Sequence, residues 1–265
     1  MDLPALHAHR LGRAYGPDSS HRALRASLAQ PIDGLETDVC LTADEKLVLL
    51  HDPLLELNTT LSGWAHEVDA AAIASASLRD SRGRPTSEFP LLLDELLEAV
   101  PPELTIQLEV KAHSDPALAR RTAEVLCERY REHPSRRRIE VLSFLSAACA
   151  VAAAAGFRSR LIIWADYTPE ALATWAVSHG VAGVSVEHFL LSEHLLRVLR
   201  LAGLSVTTGT VNHAEILARV ARLGVDAVTT DRPHELRREA LELGFARPEE
   251  PALPLAASAG PHSLQ

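Results

Sequence analysis

The sequence predicts an α/β fold, a closed (β/α)8 TIM barrel with an insertion after its second strand. Three observations predict it. Short apolar segments end near Ser143, Trp164, Glu187, Thr210 and Asp231, 21 to 23 residues apart, and each is followed by a helical pattern. Strand and helix alternating at that pitch mean parallel βαβ units. The chain has 265 residues, and eight such units need about 250. Finally, no glycine-rich dinucleotide fingerprint follows the first strand, which weighs against an open doubly wound sheet.

In chain order, the first strand is predicted at Ala5–His9, ending in His9-Arg10. Asp18, Ser19 and Ser20 are candidate N-caps for a helix through Leu24 and Leu28, and Pro31 closes it. The second strand carries Glu36 and Asp38. It turns through Thr42-Ala43-Asp44-Glu45 into a second apolar run, Leu47–Leu50, that ends in His51-Asp52. Residues 53–90 form the longest irregular region, with short helical content near Val68–Ala76. A loop of that length inside a compact domain is usually functional. Leu91–Val100 reads as an amphipathic helix ended by Pro101-Pro102. Further strands are predicted at Leu104–Val110, Ile139–Phe144, Leu161–Trp164, Val181–Val186, Leu204–Thr208 and Ala227–Thr230. Helices fill the gaps, and Pro169 and Pro233 stand where a first helical turn favours proline. Residues 1–246 are expected to form one barrel domain. Residues 247–265, with Pro248, Pro251, Pro254 and Pro261, are expected to form a disordered tail.

Composition narrows the function. Lys and Arg number 26 against 35 Asp and Glu, a net charge of −9. Such a chain is a poor non-specific nucleic-acid binder, so no nucleic-acid partner is expected. Cys40, Cys127 and Cys149 are odd in number and lack CxxC spacing, which suits reduced thiols in a cytoplasmic protein. The N-terminus lacks a signal peptide's basic and apolar regions. No run approaches membrane-span length, so no stable membrane insertion is expected.

Chemistry in such a barrel sits at the C-terminal strand ends. That rim collects His9, Arg10, Glu36, Asp38, Glu109, Lys111, Glu187, Asn212 and Asp231, and His51-Asp52 reaches it from the loop after the second strand. Glu36 and Asp38, two apart on a strand, share one face, and paired carboxylates repel unless a cation lies between them. Oxygen ligands suit a hard divalent cation. Arg10 and Lys111 suit an anionic group such as a phosphate. Two histidines supply one base and one acid near neutral pH. Together these make the inventory of metal-assisted phosphoester cleavage. Asp52 either caps the turn before Pro53 or orients His51. Asp231, just before Arg232-Pro233, is well explained as the N-cap of the last helix. His113, His133, His179, His188 and His194 read as surface residues, and Arg136-Arg137-Arg138 as a solvated connection.

The stretches AHRLGRAYGPDSS (8–20), GLETDVCLTADEKLVLLHDP (34–53), IQLEVK (106–111), LSF (142–144), TVN (210–212) and GVDAVTTDRP (224–233) resemble the glycerophosphodiester phosphodiesterase family over about Ala8 to Leu236. The resemblance implies a (β/α)8 barrel that hydrolyses glycerophosphodiesters to an alcohol and glycerol 3-phosphate, within lipid and glycerol metabolism. It implies one divalent cation, Mg2+ or Ca2+, on Glu36, Asp38 and Glu109. It also implies His9 and His51 as the acid–base pair, and Arg10 and Lys111 on the phosphate of a small-molecule substrate. Asp52, Glu187, Gly209 and Asn212 are candidates for supporting the site or walling the substrate. Four positions depart from the family pattern. Leu11 replaces a glycine, and its side chain is expected to narrow the approach to the phosphate. Asp18-Ser19-Ser20 replaces E-N-T. Asn58 replaces an arginine and Gly209 a tryptophan, which alters the expected substrate wall and predicts tolerance of bulkier or non-glycerol phosphodiesters. The competing readings are a non-catalytic phosphodiester-binding barrel and an amidohydrolase-like metal site built on His7-Ala8-His9. Oligomeric state is left open.

Overall fold

The computed structural model describes residues 2–246; the tail expected at 247–265 lies outside them. The strands are β1 (Ala5–Ala8), β2 (Gly34–Leu41), β3 (Leu47–Val48), β4 (Thr105–Val110), β5 (Ile139–Ser143), β6 (Arg158–Ile163), β7 (Gly183–Glu187), β8 (Ser205–Gly209) and β9 (Ala227–Thr230). The helices are α1 (His21–Ser27), α2 (Leu55–Asn58), α3 (Ala70–Ala74), α4 (Leu93–Ala99), α5 (Pro116–Tyr130), α6 (Ser146–Ala154), α7 (Pro169–Ser178), α8 (Glu193–Leu201), α9 (Ala214–Leu223) and α10 (Pro233–Glu242).

Eight strands pair in parallel in the order β1-β2-β4-β5-β6-β7-β8-β9, and β9 pairs back onto β1 through Ala5↔Ala227 to Ala8↔Thr230. The barrel is therefore closed, as the strand–helix pitch predicts. The ninth strand, β3, forms an antiparallel hairpin with the end of β2, pairing Cys40 with Val48. It is shorter than the Leu47–Leu50 run because Leu49 instead bonds Leu91 across the sheet edge.

Side chains alternate across each strand. The outward set, including Leu35, Val39, Ile106, Leu108, Val141, Val184, Val206 and Val228, is buried against the helix ring in two apolar clusters. The inward set is largely polar. Gln107 Nε2 donates to Glu140 Oε2 at 3.0 Å, and Arg160 Nε donates to the same carboxylate at 2.9 Å. Arg160 also reaches Ser205 Oγ at 2.8 Å. Burial alone would raise Glu140, but the Arg160, Gln107 and Arg158 contacts outweigh it and pull its pKa down to about 2. Barrels usually fill this space with branched apolar residues. Here a charge-paired floor does so, and the mouth above it is polar as well. That is why these strands read as alternating rather than continuously apolar.

Residues 53–90 build a lobe with its own small core, in which Leu55, Ala65, Ile73 and Leu78 close over Cys40, Val48 and Leu50. The helical stretch expected near Val68–Ala76 is the short α3, Ala70–Ala74, and a further turn of helix, α2, precedes it at Leu55–Asn58. Ser20 caps α1 by accepting from Ala23 N. The other two candidate caps do different work: Asp18 pairs with Arg10 and Arg13, and Ser19 bonds Thr37. Arg136 and Arg138 are not free surface charges either. Arg138 donates to the carbonyls of Leu97, Val100 and Pro101 at the end of α4, and Arg136 to that of Ala155.

Candidate active site

The C-terminal strand ends surround a pocket of about 300 Å³ lined by all seven principal candidates: His9, Arg10, Glu36, Asp38, His51, Glu109 and Lys111. Register explains the convergence. Asp38 on β2 pairs directly with Glu109 on β4, and Glu36 lies two residues earlier on the same inward face. One oxygen from each of the three carboxylates lies within 4.8 Å of the others.

Lys111 Nζ bridges two of them, 3.0 Å from Asp38 Oδ1 and 2.5 Å from Glu109 Oε1. Arg10 supplies a second positive group, with its Nε 3.7 Å from Asp38 Oδ2, and its backbone N–H donates to Glu36 Oε2 at 3.0 Å. Two cations against three carboxylates leave a surplus of buried negative charge. Burial, then Asp38 and Glu109, push Glu36 well above the usual carboxylate range. Burial likewise raises Glu109, although Lys111 opposes it. Asp38 is held down despite its burial, by Lys111, His51 and Arg10. Asp38 Oδ2 is buried without a hydrogen-bond partner among the described residues. Surplus negative charge and an unpartnered buried oxygen on a hard-oxygen donor set fit a divalent cation.

Each histidine is held by a carboxylate. His9 Nδ1 lies 2.6 Å from Asp231 Oδ1, and Asn212 Nδ2 donates to Asp231 Oδ2 at 2.6 Å. Asn212 Oδ1 accepts from Asp231 N and Thr230 Oγ1. Burial raises Asp231, but its bond and attraction to His9 outweigh that and hold it ionised. An ionised carboxylate only accepts, so the proton of a neutral His9 sits on Nδ1 and Nε2 faces the pocket. His51 Nδ1 lies 3.0 Å from Asp52 Oδ2, and the bond to His51 is the main reason Asp52 stays low. Asn58 Nδ2 donates to both Asp52 Oδ2 and the Asp52 carbonyl at 3.2 Å.

Several sequence expectations change here. Asp231 does not cap the last helix: Arg232 stands at the N-cap of α10 and makes no side-chain cap bond, while the Asp231 carboxylate turns inward to His9. Asn58, expected to alter the substrate wall, braces Asp52. Leu11 does not narrow the mouth. Its backbone is left-handed (φ 62) and its side chain is fully buried beneath the loop. Burying a leucine is worth about 1.5–3 kcal/mol, against about 1–2 kcal/mol for the left-handed backbone. At Gly209, an added Cβ would lie 1.8 Å from Thr229 Oγ1, so Thr229 occupies space that a larger residue needs. Glu187 lines the far wall, and burial raises its pKa. His7 does not join His9 in lining the pocket. It is buried on the floor beside Gln107, where burial lowers its pKa, and this removes the H-x-H site of the amidohydrolase reading. His113 packs on Trp64 with ring centroids 4.8 Å apart.

Among the described residues, no helix is long and apolar enough to cross a membrane. Residues 9–235 match the model of the glycerophosphoryl diester phosphodiesterase family. The chain is 25% identical to the uncharacterized protein YqiK of Bacillus subtilis, over 88% of this chain and 97% of that protein. It is 27% identical to a Mycobacterium tuberculosis protein named "Probable glycerophosphodiester phosphodiesterase 2", over 77% of each. Among solved structures, it superposes with a TM-score of 0.78 on an Oleispira antarctica phosphodiesterase in complex with sn-glycerol-3-phosphate, at 22% identity over 91% of this chain and 97% of that one. A glycerophosphodiester phosphodiesterase from Thermotoga maritima gives 0.73 at 20% identity, over 90% and 99%. With the family model spanning nearly the whole barrel, the chain belongs to the glycerophosphoryl diester phosphodiesterase family and is an enzyme of that family.

Proposed function

We propose that this enzyme hydrolyses glycerophosphodiesters to an alcohol and glycerol 3-phosphate, using a divalent cation and two carboxylate-held histidines. The observation that carries the reading is the meeting, in one pocket, of Glu36, Asp38 and Glu109 with His9 and His51. The Oleispira relative was solved with sn-glycerol-3-phosphate as its product, which supports the same product here. A cation bound by the three carboxylates, Mg2+ or Ca2+, would supply positive charge against the phosphoryl oxygens.

The remaining roles belong to the chain's own groups. Arg10 and Lys111, both raised by neighbouring carboxylates despite their burial, stay charged and hold the phosphate. Asp231 and Asp52 each fix one ring nitrogen of a histidine and leave the other for proton transfer. One histidine takes the proton of the attacking hydroxyl, and the other gives a proton to the departing alcohol. The attacking group is water or the neighbouring glycerol hydroxyl, the latter passing through a cyclic phosphate.

The test is turnover of glycerophosphoethanolamine with products identified, before and after chelation and after adding back Mg2+ or Ca2+. Glycerol 3-phosphate and ethanolamine should appear in a metal-dependent way. Tight phosphodiester binding without turnover under every metal would favour the non-catalytic binding barrel instead.

A further inference from the structure

Aromatic residues make up 4% of the chain, yet four lie exposed on successive loops along one side of the mouth. Phe144 follows β5, Trp164 and Tyr167 follow β6, and Phe189 follows β7. They are 41, 60, 47 and 61% exposed. Single exposed apolar residues are ordinary, but a group beside a polar pocket marks a binding surface.

Next to Phe144 and Tyr167 lies a groove of about 500 Å³ between the ends of β5 and β6 and helix α7. Its walls include Phe144, Leu145, Ile162, Tyr167, Leu172 and Trp175, and none of its lining residues is charged. The groove adjoins the catalytic pocket, since Phe144 and Ile162 line both. The Phe144 ring lies 5.8 Å from Lys111 Nζ. The groove therefore opens beside the lysine assigned to the phosphate, and it carries no carboxylate to pair with an ammonium head group.

We infer that this groove is a subsite for an apolar chain carried by the phosphodiester, so that chain-bearing phosphodiesters are turned over in preference to fully polar ones. The inference rests on the hydrolytic reading of the pocket. The shared chemistry is an alkyl chain next to a phosphodiester. It arrives either as an acyl chain on the glycerol or as the second alcohol itself.

The experiment measures kcat/KM below micelle formation for two series, from ethyl to octyl: alkyl glycerophosphodiesters and monoacyl glycerophosphocholines. In one series the value should rise by roughly twofold or more per methylene, as burial in a half-open apolar groove requires. Whichever series rises identifies the source of the chain. Ala171→Gln and Tyr167→Ser, both in the groove wall, should flatten the octyl-to-ethyl ratio to within about threefold. Independently of turnover, calorimetry should show saturable binding of monomeric dodecylphosphocholine that Ala171→Gln weakens. Binding that persists when no phosphodiester is hydrolysed would keep the groove as a chain site and sink the hydrolytic reading alone. Two flat series without calorimetric binding would overturn the inference. So would adsorption to phosphatidylcholine vesicles with both series flat, which would assign the aromatics to a surface instead.

Discussion

Lys111 Nζ is 3.0 Å from Asp38 Oδ1 and also bridges to Glu109, so one ammonium ties together carboxylates from two neighbouring strands. It neutralises part of the cluster and leaves Glu36 in surplus. Removing any one carboxylate therefore removes charge that a divalent cation needs.

Glu36→Gln, Asp38→Asn and Glu109→Gln should each weaken cation affinity by roughly tenfold or more, since affinity follows ligand charge. Circular dichroism should show the fold kept, because each amide keeps the size and shape of the carboxylate it replaces. Calorimetric titration of Mg2+ and Ca2+ checks this. Wild-type affinity in all three variants would sink the assignment.

His9→Ala and His51→Ala should each lower kcat by roughly 10²–10⁴-fold, the range of a general acid or base. Asp231→Asn keeps the shape of the His9 contact and loses its charge, so it should lower kcat by about tenfold or more and distort the pH profile of turnover. In the wild type that profile should be bell-shaped, since one histidine must be neutral and the other charged. Unchanged profiles in Asp231→Asn would mean that Asp231 only packs against His9.

Glu140 gives a stability prediction independent of catalysis. Its pKa falls from 4.5 to about 2 on folding, so between those values the unfolded chain binds the extra proton. The stabilisation is full above about pH 4.5 and is lost as the pH falls toward 2. Glu140→Gln should therefore cost on the order of 3 kcal/mol near neutral pH. Denaturant melts should show wild type and variant converging as the pH falls toward 2. A gap that stays constant with pH would contradict the ionic role.

Gly209→Trp tests the missing wall, but Thr229 stands in the way. A Cβ at 209 would meet Thr229 Oγ1 at 1.8 Å and Thr229 Cβ at 3.2 Å. The single variant should lose about 1–3 kcal/mol through overpacking. Adding Thr229→Gly should recover the melting temperature. An apolar wall of about 50 Å² is worth ~1.2 kcal/mol, so the double variant should gain roughly tenfold selectivity for glycerol. A wild type already selective for glycerol, and unmoved in the double variant, would locate the wall elsewhere.

Much of this architecture is legible in the sequence. The eight strands are visible because their outward residues are mostly apolar and their inward ones largely polar. Glu36, Asp38 and Glu109 are visible because two-residue spacing fixes a shared face. What sequence hides is the contact that depends on register. Asp231 reads as a helix cap because capping is a local pattern, whereas its bond to His9 spans 222 positions. The signals missed for the floor were Glu140 and Arg160, charges inside otherwise apolar strands, and a buried charge implies a buried partner. Leu11 misled because its identity says nothing about which way a left-handed turn aims the side chain.

The pairing of β1 with β9 joins the first and last of the described strands, and His9 and Asp231 face each other across that seam. The three carboxylates lie wholly on β2 and β4, within the first half of the sequence. The anionic cluster can thus assemble before the last strand exists, but His9, the proposed acid–base residue, meets Asp231 only once that strand docks. On the proposed roles, turnover would report ring completion. If His9 acts as proposed, the chain should stay catalytically silent during synthesis until β9 has emerged and paired with β1.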